Sequence, residues 1–196
     1  MANNAVYGLV LAGGESRRMG RDKALLRRDG KSQLAYTAGL LQEVTDRVFV
    51  STRANQQHDP ERARFEIIVD RCDGIGPVAG ILSAMDAHPG VDWLIVACDL
   101  PNIDNVTLEF LLENRSAEKP FSAFRSSHDG LPEPLCALYR AGSDAIVRQF
   151  VDDGIVCPRK ILISTDTELL EQPNPASLDN VNTPDDLEAS VLEAIS

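Results

Sequence analysis

The chain has 196 residues, 43% hydrophobic and 25% charged, with a formal charge of −11. This length suits one domain, 1–196, in which roughly 70% of the unfolded surface is buried and neither disulfides nor structural metals are needed for stability. The acid excess argues against nonspecific binding to nucleic acid or anionic membranes, and no apolar run nears the ~20 residues of a membrane span. Met1-Ala2-Asn3-Asn4 does not open a secretory leader, so a cytoplasmic protein is expected. Cys72, Cys98, Cys136 and Cys157 lack CxxC spacing, and His58, His88 and His128 do not cluster, which disfavours a disulfide framework or a zinc site.

In chain order, Val6–Leu11 reads as a buried strand that ends in a glycine turn. Leu34, Ala38, Leu41 and Val44 recur at helical spacing and predict a helix with one core-facing side. Val48–Val50 and Phe65–Val69 follow as strands. Gly76-Pro77 opens a helix, because proline is preorganised for the first helical position, with Val78, Ile81, Leu82 and Met85 inward. Trp93–Cys98 is the strongest buried-strand signal and carries Asp99 at its carboxyl end; Cys98 reads as a small buried hydrophobe. A helix over about Val106 to Glu113, capped by Asp104 or Asn105, precedes strands near Ser122–Phe124 and Leu135–Tyr139 and a helix after Ser143. Thr183-Pro184-Asp185-Asp186-Leu187 has a cap, a first-turn proline and first-turn acids, which start a last helix. Such alternation predicts a three-layer α/β fold with a mainly parallel sheet, in which ligands bind beyond the carboxyl ends of the strands.

Chemistry concentrates in Leu11-Ala12-Gly13-Gly14-Glu15-Ser16-Arg17-Arg18-Met19-Gly20-Arg21-Asp22-Lys23. Paired glycines after a strand let backbone amides approach an anion, and the bases add positive charge that suits phosphate. Arg17, Arg18, Arg21, Lys23, Arg27, Arg28 and Lys31 form a cationic island on an acidic chain, of which at most three are expected to touch ligand. Neither the P-loop spacing nor the dinucleotide fingerprint is present. The alternative is a tight strand–loop turn with incidental bases. Asp99 at a strand end suits Mg²⁺, which takes one or two carboxylates, phosphate oxygens and water; otherwise it is a turn-forming aspartate before Leu100-Pro101. Gly74–Gly80 either aims a helix N-terminus at an anion or merely initiates the helix. Pro158-Arg159-Lys160 offers two bases to a phosphate or forms a solvated turn, and Asn180 and Asn182, flanking Val181, suit a local role in capping the last helix and fixing its turn.

The glycine-rich string resembles the signature loop of the molybdenum cofactor guanylyltransferases, nucleotidyltransferases with a Rossmann-like α/β fold. The resemblance continues, in order, through Asp70, Gly76-Pro77-Val78-Ala79-Gly80, Ala97-Cys98-Asp99-Leu100-Pro101, Cys157-Pro158-Arg159-Lys160 and Asn180-Val181-Asn182-Thr183-Pro184, and so covers nearly the whole chain. It implies that Leu11, Ala12 and Gly13 meet the guanine nucleotide through their backbones and that Gly14 and the arginines line the triphosphate. Lys23 would neutralise charge near the α-phosphate, with Arg17, Lys23 and Asp99 as the catalytic set. Asp70 would lie on the nucleotide side and Asp99 would bind the magnesium. Asn180, Asn182 and Arg159 would face the acceptor, and Glu133 falls where the family binds its second substrate. Ser51 departs from the asparagine the family often has there, and its hydroxyl can still hydrogen-bond ribose or base.

The implied activity is transfer of GMP from GTP to the molybdopterin cofactor, magnesium-dependent and in line, with pyrophosphate released. Ala12-Gly13-Gly14 favours guanine, since cytidylyl relatives tend to carry a second alanine. The expected partners are the two substrates and, transiently, other cofactor-biosynthesis proteins or molybdoenzymes, around a monomer or weak homo-oligomer. Two other readings stay open: the same fold using CTP or another phosphorylated acceptor (a sugar phosphate or cobinamide phosphate), and a nucleotide-binding accessory protein without turnover.

Overall fold

The computed structural model describes residues 4–14, 22–28, 30–181, 186 and 192. Seven strands form one sheet: β1 (Val6–Leu11), β4 (Arg47–Thr52), β5 (Glu66–Val69), β6 (Asp92–Ala97), β7 (Phe121–Arg125), β8 (Pro132–Tyr139) and β9 (Thr167–Leu170). A two-stranded hairpin, β2 (Arg27–Arg28) with β3 (Lys31–Ser32), lies apart from it. The sheet order is β5-β4-β1-β6-β8-β7-β9. All neighbours run parallel except β8, which is antiparallel to both β6 and β7. The mainly parallel sheet expected from the sequence is present, with this one reversal.

Both faces of the sheet are covered, as parallel strands require. Alternate side chains divide the core: Val10, Val50, Leu94 and Val96 pack with Leu34, Ala38 and Leu41 of α1 (Gln33–Val44) and with Leu108 and Leu111 of α3 (Asn105–Asn114). Leu9, Phe49, Trp93 and Ile95 face the other way, onto Val78, Ile81 and Ala84 of α2 (Pro77–Ala87), Val147 of α4 (Asp144–Asp152) and Ile161 of α5 (Pro158–Ile163). Each such buried Val, Leu or Ile side chain contributes about 1.5–3 kcal/mol. Helix starts follow local chemistry. Ser32 caps α1 by accepting from the Ala35 N–H, and Asp104, not Asn105, caps α3 by accepting from the Thr107 N–H. The predicted helix start at Thr183-Pro184-Asp185-Asp186-Leu187 lies outside the described residues, save Asp186. Among the described residues, no helix is long and apolar enough to cross a membrane.

The strand reversal decides what shares an edge. The carboxyl ends of β1, β4, β5 and β6 meet the amino half of β8, since Val96 near the end of β6 pairs with Cys136 in the middle of β8. Backbone bonds extend the ladder past the strand ends: Ala12 N–H donates to Ser51 O, Asp70 N–H to Thr52 O and Cys98 N–H to Leu11 O. The loops that leave this edge are thereby held where the strands point.

Candidate functional site

Two cavities open along this edge. The larger, about 450 Å³, is lined by Leu11, Ala12, Gly13 and Gly14 after β1, by Ser51 and Arg53 after β4, by Asp70 after β5 and by Lys23 and Asp99. The smaller, about 210 Å³, lies against Glu133, Pro134 and Cys136 of β8, Cys157 to Arg159 at the start of α5, and Asn180. Asp99 and Leu135 line both. Of the residues singled out in the sequence, Leu11, Ala12, Gly13, Gly14, Lys23, Ser51, Asp70 and Asp99 thus share one cavity, while Arg159 and Asn180 sit in the other. Arg17 and Asn182, like Arg18 and Arg21, lie outside the described residues.

Each wall of the larger cavity has a local cause. Gly80 of α2 lets the helix press on the strands: a Cβ there would stand 2.2 Å from Ser51 Oγ and 2.9 Å from Leu11 Cδ2. Of the paired glycines, Gly14 faces open space, whereas a Cβ on Gly13 would stand 3.1 Å from Asp70 Oδ2. The close approach therefore belongs to Gly13. Ser51 Oγ donates to Asp70 Oδ1 at 2.6 Å, across neighbouring strand ends. Burial raises the Asp70 carboxyl above the usual aspartate range; the Ser51 hydrogen bond and nearby Arg53 oppose this, and Asp73 adds to it.

Lys23 rides on a short turn, Lys23–Leu25, capped by Asp22 Oδ1, which accepts from the Ala24 N–H at 3.0 Å. Its Nζ donates to Asp99 Oδ2 at 3.4 Å, and both side chains are mostly buried. Asp99 Oδ1 is buried and has no hydrogen-bond partner. A buried carboxylate oxygen without a donor carries a desolvation cost that a cation can repay. Among the described residues, no group of three or more His, Cys, Asp or Glu could hold a metal by itself. The donor set thus fits an ion that arrives with phosphate oxygens, as Mg²⁺ does. Cys98, also in the cavity wall, has its thiol pushed up to about 12 by burial, and burial likewise raises Cys136. Neither is a thiolate nucleophile at neutral pH.

The smaller cavity is built from side chains. Arg159 forks between Asp129 Oδ2 and Glu133 Oε2, each at 2.9 Å. It stands in the first turn of α5, not in a solvated turn. Two acids on one base leave the cluster short of positive charge. The Leu131 N–H, first, and then Arg159 hold the Asp129 carboxyl below the usual range. The Val181 N–H donates to the Asp99 carbonyl, which brings Asn180 to the wall. Arg28 and Arg27, by contrast, leave both cavities: Arg28 donates to the Pro101 carbonyl and covers the Tyr36 ring, and Arg27 donates to the Gly30 carbonyl.

A family model described as the MobA-like NTP transferase domain matches residues 8–168, a span that takes in the larger cavity and all of the sheet but the first two residues of β1 and the last two of β9. The chain belongs to that family. It is therefore a nucleotidyltransferase of the MobA-like group. A protein of Pseudomonas paraeruginosa named molybdenum cofactor guanylyltransferase is 33% identical over 90% of both chains. A molybdenum cofactor biosynthesis bifunctional protein of Synechocystis is 36% identical over 95% of this chain, which spans 54% of that longer relative. A crystal structure of molybdopterin-guanine dinucleotide biosynthesis protein A from Archaeoglobus fulgidus has the same MobA-like fold, with a TM-score of 0.77 at 24% identity, covering 93% of this chain and 95% of the other.

The sequence reading did not single out three residues at the edge. Leu135, in both cavities, was read only as part of a strand. Asp22 stands in the signature string with no role of its own, and nothing in the sequence marks Arg62. Arg62 is 1% exposed and donates through Nη2 to the Ala12 carbonyl and to Asp22 Oδ2.

Proposed function

We propose that the chain, as a single cytoplasmic nucleotidyltransferase domain, moves GMP from GTP onto the phosphate of the molybdopterin cofactor and releases pyrophosphate. One observation carries this reading: Asp99 lines both cavities, so a nucleotide in the larger and an acceptor in the smaller would meet at one carboxylate. The choice of guanine and of the pterin acceptor draws on the names of relatives about one-third identical over nine-tenths of the chain.

The larger cavity would receive GTP, with the backbones of Leu11, Ala12 and Gly13 against the nucleoside, and Gly14 and Arg17 beside the triphosphate. The Ser51–Asp70 pair would accept hydrogen bonds from ribose hydroxyls or base N–H groups, since the Ser51 hydrogen is donated to Asp70. Lys23 would neutralise the α-phosphate as an acceptor oxygen attacks its phosphorus. A new P–O–P linkage forms, the bond to the β-phosphate breaks, and pyrophosphate leaves with the electron pair. Positioning and charge neutralisation would supply the rate, since the described residues present no activated nucleophile. Asp99 would hold a Mg²⁺ ion through its unpartnered Oδ1; bound there, the ion would spread charge on the reacting phosphate. Asn180, Asn182 and Arg159 would orient the acceptor.

The test is pyrophosphate release with each nucleotide, with and without the molybdenum cofactor and Mg²⁺. Release from GTP that needs both additions supports the reading. Release from CTP instead moves the enzyme to another base, and GTP binding without release under any condition moves it to a non-catalytic role.

A further inference from the structure

Arg62 lies in the polar connection between β4 and β5, on the turn Arg62–Arg64, yet its side chain is 1% exposed. A guanidinium so buried is costly unless charge and hydrogen bonds offset its lost water. Nη2 donates to the Ala12 carbonyl at 2.9 Å and to Asp22 Oδ2 at 2.7 Å, and Nη1 faces Asp59 Oδ1 at 3.4 Å. Asp59 is fixed in turn by the backbone N–H groups of Glu61 and Arg62, at 3.2 and 3.1 Å. The fork therefore grips both ends of the glycine-rich segment: Ala12, where it leaves β1, and Asp22, just before Lys23.

Asp22 has two faces. Its Oδ1 caps the turn that carries Lys23, and its carboxylate lines the larger cavity. A bare carboxylate there would repel a polyphosphate. Arg62, which does not itself line that cavity, meets this charge from behind. A buried apolar side chain could fill the same space at no cost in charge, so what arginine adds is the pairing with Asp22 and the tie to Ala12.

We propose that Arg62 is a positioning residue for the nucleotide site, one that ties Ala12 to Asp22, sets the turn that aims Lys23 at Asp99, and masks the Asp22 charge from the triphosphate. The proposal rests on the nucleotidyl-transfer reading above for its effect on binding, but not for its effect on the unliganded chain.

The experiment compares the parent with Arg62→Met, Arg62→Lys, Asp22→Asn and the double variant Arg62→Met/Asp22→Asn. The readouts are Mg·GTP and Mg·CTP titration, pyrophosphate release, thermal unfolding, and exchange of single backbone amides without nucleotide. Arg62→Met is expected to weaken nucleotide binding by about tenfold or more, the scale of one lost charge-assisted contact, with Arg62→Lys between it and the parent. The double variant should bind better than Arg62→Met alone, because the unmasked charge is gone. A purely structural arginine predicts the same order in thermal unfolding, with parental affinity in whatever fraction of Arg62→Met is folded. The Ala24 amide should exchange at least tenfold faster in Arg62→Met, while that of Ile95 in β6 stays at the parental rate. Parental affinity in Arg62→Met, or no recovery in the double variant, overturns the charge masking; an unchanged Ala24 amide overturns the clamp. If the parent binds neither nucleotide, the proposed function and the masking both fail, and the Ala24 amide alone decides the clamp. Should Arg62→Met not fold, Arg62→Lys answers the same questions at smaller amplitude.

Discussion

The two cavities that meet at Asp99 are made of different materials. The larger, the proposed nucleotide side, uses four parallel strand ends, backbone from Leu11 to Gly14, and glycines where side chains would collide, as at Gly80. The smaller, the proposed acceptor side, uses the amino half of a reversed strand and an ion-paired trio, Asp129, Glu133 and Arg159. Backbone cradles suit a ligand part common to all nucleotides, because they present N–H groups without choosing a side chain. Side-chain clusters are easily exchanged and suit the partner that distinguishes one transferase from another. The first side thus depends on packing and the second on charge, and substitutions should separate the two.

The largest expected effect falls where the sides join. Asp99→Ala should lower turnover by about 10²–10³-fold, the scale for removing one preorganised electrostatic group. Pyrophosphate release measures it, and turnover equal to the parent would remove Asp99 from the reaction. Next comes Gly80→Ala, which should destabilise by about 1–3 kcal/mol because its Cβ must displace Ser51 or α2. Denaturant unfolding measures the loss, which should appear with weaker nucleotide binding and an unchanged KM for acceptor. A well-folded variant with parental nucleotide affinity would mean that α2 need not press on β4. Arg159→Gln should act the other way, raising the KM for acceptor about tenfold while leaving nucleotide affinity within about twofold. If nucleotide affinity fell as well, the division between the sides would not hold.

The two sides were also unequally legible in the sequence. The apolar runs of β1, β5 and β6 are closely followed by glycines or a carboxylate, so one periodicity argument marks both those strands and Gly13, Gly14, Asp70 and Asp99, whereas Ser51, at the end of β4, is marked only by the family resemblance. On the acceptor side the strong signal was missing. β9, read as Thr-Glu-Leu-Leu, is half-buried along its length at the sheet edge, with no burial pattern to reveal it. Helix α5 has six residues, too few for a period, although its first-turn Pro158 was a signal available beforehand. The reversal of β8 left no trace in composition at all. Arg62 was illegible for another reason: in Glu61-Arg62-Ala63-Arg64 it looks like any solvated base, and its burial comes from Ala12 and Asp22, distant in sequence.

The smallest effect is the most diagnostic of how the nucleotide side is built. Burial raises the folded-state Asp70 carboxyl above its ordinary 3.8, so the fold favours the protonated form. That contribution to stability is fully present below the unfolded value and is lost as pH rises through the folded value. At neutral pH the ionised Asp70 therefore costs the unliganded fold some stability. Asp70→Asn keeps an acceptor for Ser51 Oγ and removes the charge, so it should raise Tm at pH 7, on the order of 1 °C in a chain of this size. The gain should shrink as pH falls and vanish below 3.8, where parent and variant are both neutral at this position. Nucleotide affinity should move oppositely: Asp70→Asn binds more weakly at pH 7, and the parent loses affinity on acidification at a higher pH than an ordinary aspartate would give. Thermal melts and GTP titrations from pH 3 to 7 read both trends. A Tm gain that persists at pH 3 would assign the effect to packing around Gly13 and not to the buried charge. A gain confined to neutral pH, with weaker binding, would mean that this carboxylate is kept for the ligand at the expense of the empty fold.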